Sequence, residues 1–130
     1  MRKKPIVNQK RPVNLNLATM KYPSMAIASI LHRLSGLVMF LLMPVMLYFL
    51  SQSLLSAESF DRLQTTLACP LCKLILWAFS TALIYHVLAG IRHMLMDLGL
   101  GEHLETGRRS ATFVIILAII LAIFLGIWIW

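Results

Sequence analysis

Three stretches of this chain carry no Lys, Arg, Asp or Glu: Leu34 to Ala57, Leu74 to Ile91 and Ser110 to Trp130, which are 24, 18 and 21 residues long. A helix needs about 20 apolar residues to cross a hydrocarbon core of about 30 Å. The first and third stretches suffice alone. The second is completed by Lys73 and Arg92, whose long side chains can reach the two interfaces. Lipid offers the backbone no hydrogen-bond partners, so each span must be helical. The expected fold class is all-α, an integral membrane protein with three transmembrane helices.

Composition supports this and removes the alternatives. Of 130 residues, 59% are hydrophobic and 13% charged, against about 45–50% and about 25% in an average soluble domain. A chain this short cannot hide so much apolar surface from water. A soluble globular enzyme, a disordered chain and a long coiled coil are excluded. Two cysteines are too few for a disulfide-dense module.

The net charge of +7 would suggest nucleic acid in a soluble protein. Here its placement gives another reading. Arg2, Lys3, Lys4, Lys10, Arg11 and Lys21 precede residue 24, and Arg33 follows at the mouth of the first span. The loop 51–70 holds only Arg62, beside Glu58 and Asp61, whereas the loop 92–109 holds Arg92, Arg108 and Arg109. Basic residues stay on the cytoplasmic side. The expected topology is three crossings, with the N-terminus in the cytoplasm and the C-terminus in the periplasm. Nucleic acid is not an expected partner. Residues 1–23 form a basic cytoplasmic tail without the apolar core of a secretory signal. Residues 24–130 form the membrane domain, with spans at about 24–54, 71–92 and 110–130. Pro23-Ser24 reads as a helix start with Ser24 as N-cap. Pro44 removes one backbone bond within the first span and is expected to bend it. Trp128 and Trp130 form an interfacial aromatic anchor.

Ser29, His32, Arg33 and Gly36 are spaced i, i+3, i+4 and i+7, so they share a face of the first helix. Ionisable groups inside a membrane face a bundle interior or a cavity. In the second span, His86 lies six residues before Arg92, roughly 9 Å inside the cytoplasmic end. His93 follows at i+7. Gly90 at i+4 leaves the helix surface bare beside His86, with room for a flat ring. His86 reads either as a hydrogen-bonded packing residue or as an axial ligand for haem iron, with basic residues nearby for the propionates. The third span contains no His, Met, Cys or Tyr and reads as packing. A second axial ligand would come from another chain, since His32 and His93 lie nearer the surface and Met39 reads as packing. Cys69-Pro70-Leu71-Cys72 is followed by Lys73, so a c-type haem attachment is absent. The pair reads as packing residues or a periplasmic disulfide, with a redox dithiol or half of a metal site as the alternative.

These residues carry a resemblance. Arg11-Pro12-Val13-Asn14-Leu15, Ser29-Ile30-Leu31-His32-Arg33-Leu34-Ser35-Gly36, and Tyr85-His86 with Gly90-Ile91-Arg92-His93 and Met96-Asp97 are similar to the cytochrome b membrane-anchor subunits of bacterial succinate dehydrogenases. The likeness runs from the tail through the third span. It implies a complex with a second small membrane-anchor subunit, an iron–sulfur subunit and a flavoprotein subunit, in the bacterial inner membrane. Succinate is then oxidised on another subunit, so this chain contributes no catalytic residue to that step. Electrons pass through iron–sulfur clusters to ubiquinone, and haem b is shared between the two anchors. Carried over by motif, Ser29 and Arg33 fall at the quinone site and His86 at the axial haem position. His32, Arg33 and His93 fall near the haem propionates. Nothing is carried over to Cys69 and Cys72. A serine hydroxyl can donate to a quinone carbonyl, and an arginine can stabilise negative charge developing there.

Two other readings compete. A haem-free structural anchor of a fumarate reductase would not need His86. A small proton-conducting subunit would spread ionisable groups through the whole membrane depth, whereas here they cluster toward one side. The topology is open to direct test. A reporter fused after Trp130 is expected to be active if it works only in the periplasm, and activity of a cytoplasm-only reporter there would reverse the assignment.

Overall fold

The computed structural model describes residues 22–101 and 103–130. The basic tail up to residue 21, with the Arg11–Leu15 part of the motif, lies outside the described residues. The described residues are all-α: α1 (Ser24–Leu55), α2 (Ala57–Leu67), α3 (Pro70–Asp97) and α4 (Leu104–Ile129). Three of these helices are long and apolar enough to cross a membrane, and the protein is a multi-pass membrane protein.

The long helices run past the uncharged stretches. α1 has 32 residues and α4 has 26, about 48 and 39 Å at 1.5 Å per residue. α1 begins one step away from the expected cap. Pro23 is the extended cap residue, and Ser24 is already helical. The Ser24 hydroxyl donates instead to the Arg108 carbonyl, at 3.1 Å, which ties the start of α1 to α4. α1 stays continuous through Pro44.

α2 was not foreseen in the loop 51–70. Its signal is short. Ser56 Oγ accepts from the Ser59 N–H at 3.1 Å while Ser59 Oγ accepts from the Ser56 N–H at 3.0 Å. The two serines satisfy each other's backbone donors. Phe60, Leu63 and Leu67 then recur at helical spacing, with Leu63 buried. α3 ends in a glycine cap. Gly99 takes φ 80°, its N–H bonds the Met96 carbonyl, and the Leu100 N–H reaches back to Leu95, each at 2.9 Å. That left-handed position suits glycine.

Small residues line the seams where the helices meet. Ala28 and Ser35 on α1, Ala82 and Ala89 on α3, and Gly107, Ala111, Ala118 and Ala122 on α4 are buried. In lipid no hydrophobic force draws helices together, so close packing of small residues and interhelical hydrogen bonds must do so. Among these bonds, Tyr85 Oη donates to the Ala28 carbonyl at 2.8 Å, Trp77 Nε1 to the Ala122 carbonyl at 2.9 Å, and Arg92 Nη2 to the Gly107 carbonyl at 3.0 Å. Arg92 does not reach out to the interface as expected. It is 7% exposed and turned into the α3–α4 seam, where Nε also donates to Ser110 Oγ at 3.0 Å. A buried guanidinium is tolerable only when its donors find acceptors.

Ala111 is 0% exposed and leaves no room for a larger side chain. Ala111→Leu is expected to destabilise the bundle by about 1–3 kcal/mol through overpacking. Thermal denaturation in detergent would register this, and an unchanged midpoint would contradict the tight seam.

Candidate functional site

α1 and α3 bring three imidazoles together near one end of the bundle. The rings of His32 and His86 stack with centroids 4.1 Å apart and planes 22° apart. His93 lies beyond, with its ring 5.2 Å from that of His32 and tilted by 50°. Two glycines face these rings, and Gly36 is the one with no space to spare. A Cβ on Gly36 would lie 3.2 Å from His86 Cε1, and one on Gly90 would lie 3.8 Å from His32 Nε2. Each histidine therefore sits over the glycine of the opposite helix, and each histidine and its own glycine are four residues apart. Two antiparallel helices with the same His-x-x-x-Gly step can interlock in this way.

This changes the reading of Gly90. The bare surface beside His86 does admit a flat ring, but the ring is that of His32. The antiparallel crossing pairs His32 with Gly90, one turn along α3 from His86 toward His93, and the two rings meet by stacking. Stacked side by side, the two imidazoles do not oppose each other across a single metal ion, so His32 is no second axial ligand to one bound at His86.

Ser35 holds the cluster from below. Its hydroxyl lies 3.0 Å from His86 Nδ1 and donates to the His32 carbonyl at 2.7 Å. Ser35 stands in the quoted motif, but spacing alone assigned it no role. The signal was its place on the turn between His32 and Gly36. His32 Nε2 is buried and without a hydrogen-bond partner, the kind of orphan that ordinarily marks a missing group.

The four residues expected on one face of α1 divide between two directions. His32 and Gly36 face α3. Arg33 is exposed and Ser29 half-buried, and among the described residues neither has a hydrogen bond or ion pair. They border the cluster and look away from the bundle. Cys69 and Cys72 lie at the other end of α3 as free thiols, Cys69 exposed. The backbone N–H groups of Leu71 and then Cys72 hold the Cys69 thiol below its usual range.

The fold and this cluster define a class: a small helical membrane protein with a histidine cluster between two of its long helices. Comparison with known proteins gives the family. A family model described as the succinate dehydrogenase/fumarate reductase transmembrane subunit matches residues 7–125. Relatives include the succinate dehydrogenase cytochrome b556 subunit of Coxiella burnetii, 47% identical over 95% of this chain and 100% of the relative. That of Rickettsia typhi is 32% identical over 93% and 94%, and that of Paracoccus denitrificans 29% over 87% of each. The chain belongs to the succinate dehydrogenase/fumarate reductase transmembrane subunit family. The likeness to cytochrome b subunits of succinate dehydrogenase, read above from the motifs, is the one its relatives carry.

The interlock makes a prediction of its own. Gly36→Val and Gly90→Val should each lower thermal stability by about 1–3 kcal/mol, with the larger loss at Gly36, where the clearance is tighter. Equal stability of both variants and the parent would mean that the glycines do not set the helix approach.

Proposed function

We propose that this chain is the haem b- and quinone-binding membrane-anchor subunit of a succinate dehydrogenase. It acts with a second membrane-anchor subunit, an iron–sulfur subunit and a flavoprotein subunit in the bacterial inner membrane. Electrons from succinate oxidation reach ubiquinone through it, which links the tricarboxylic acid cycle to the respiratory chain. The observation that carries the reading is His86, held between Gly36 and Ser35 where α1 crosses α3.

The residues present fit a haem. Its Nδ1 is engaged by Ser35, which leaves Nε2 for iron. The orphaned His32 Nε2 and the exposed Arg33 fit a propionate partner, and His93 extends the same row toward the membrane surface. When bound, haem b supplies a one-electron carrier within the membrane. A second ligand would come from the second anchor, because His32 is stacked on His86 and His93 is tilted against His32.

Ser29 and Arg33 border this cluster on the side that faces away from the bundle. Ser29 donates a hydrogen bond to a quinone carbonyl, and Arg33 offers a fixed positive charge where negative charge develops on the quinone oxygen. Their place at the helix mouth gives access to water protons. The basic tail and the 92–109 segment form the docking side for the iron–sulfur subunit, so the N-terminus is cytoplasmic.

Two experiments test this. His86→Leu should abolish or perturb the b-type reduced-minus-oxidised spectrum of the assembled complex, and an unchanged spectrum would remove His86 from the site. Ser29→Ala and Arg33→Leu should each lower quinone reduction by about two orders of magnitude, since losing one preorganised donor costs about 2.7–4 kcal/mol. Succinate oxidation with a soluble artificial acceptor should survive. A ratio of quinone-linked to acceptor-linked activity that stays constant in both variants would move the quinone site off α1.

A further inference from the structure

We propose that Ser35 is a positioning residue that fixes the tautomer of His86 and tunes its strength as a ligand. The inference rests on the haem reading above. Its basis is a count of protons. A serine hydroxyl has one hydrogen to give and lone pairs to receive. Ser35 Oγ stands 2.7 Å from the His32 carbonyl oxygen and 3.0 Å from His86 Nδ1. Two oxygens at 2.7 Å repel unless a proton lies between them, and a carbonyl brings none. The Ser35 proton is therefore committed to the carbonyl. The remaining contact is attractive only if His86 Nδ1 carries the hydrogen and donates it to Ser35 Oγ. That leaves the lone pair of a neutral imidazole on Nε2.

Ser35 is 7% exposed, so water does not compete for this hydroxyl. The carbonyl that takes its proton belongs to His32, whose ring stacks on His86. One side chain thus couples the backbone beneath one imidazole to the nitrogen of the other. Gly36, the next residue, leaves room for the ring edge. The ring is held on its edge by Gly36, on its face by His32 and at Nδ1 by Ser35. A partner on Nδ1–H orients a ligating histidine and raises its basicity. A more basic ligand favours the oxidised metal, so the contact should lower the midpoint potential of the bound group.

The test uses the assembled complex with Ser35→Ala, Ser35→Thr and His86→Leu. Ser35→Ala should raise the haem midpoint potential and weaken haem retention by about 10–100-fold, measured as transfer to an excess of apomyoglobin. A tenfold preferential weakening of the oxidised form reads as about 59 mV for one electron. Ser35→Thr keeps the hydroxyl and should return the potential toward that of the parent, which a purely structural role would not require. If Ser35→Ala does not assemble, Ser35→Cys keeps the volume and weakens the acceptor. A shift in the same direction then supports the proposal, and the parental potential overturns it. A parental potential and retention in Ser35→Ala also overturn it. The two levels separate cleanly. Loss of the b-type spectrum in His86→Leu with no effect of Ser35→Ala rejects the role of Ser35 alone, whereas an unchanged spectrum in His86→Leu rejects the haem reading beneath it.

Discussion

Where α1 crosses α3, neither backbone is kept at a distance by a side chain of its own. Gly36 receives the edge of His86 and Gly90 receives His32, so two large rings fit where two helices nearly touch. Helix association in lipid depends on this kind of close fit, because the tails around the bundle are as apolar as the side chains. The stacked imidazoles, the Ser35 contacts and the position of His93 all follow from that crossing. The Tyr85 hydroxyl on the Ala28 carbonyl clamps the same pair of helices one turn further along.

α4 carries no residue of the cluster and still decides its setting. Its stripe of Gly107, Ala111, Ala118 and Ala122 packs against the bundle, and Arg92 and Trp77 reach across to its carbonyls. Interhelical hydrogen bonds of this type contribute about 0.6 kcal/mol each, too little to hold a bundle alone. Their effect is on register. Arg92 spends its donors on Gly107 and Ser110, which takes its charge out of the interface and pins the end of α3 that bears His93.

α1 serves two neighbours with one short segment. Residues 32 and 36 look into the bundle, and residues 29 and 33 lie about 60° and about 100° round the helix from residue 32, with Ser29 half-buried and Arg33 exposed. The same segment is thus at once a packing surface and an open one. In the proposed function the inner pair serves haem and the outer pair serves quinone, so one helical segment borders both sites.

The sequence by itself determined that this chain crosses a membrane three times as helices, because unbroken apolar stretches of this length have no other stable backbone state in lipid. It also singled out His86, His32 and Arg33 for a chemical reading, since ionisable groups are expensive inside a membrane. Short-range patterns were harder to read. α2 rests on two serines capping each other, and the α1 cap shifted to Pro23 once Ser24 found a carbonyl on α4. Only the tertiary structure decided that His32 fills the space over Gly90, that Ser35 meets His86 and that Arg92 turns inward. Helical spacing fixes directions within one helix, but the depth and rotation at which two helices meet depend on small residues of both, and those appear only when the helices are packed.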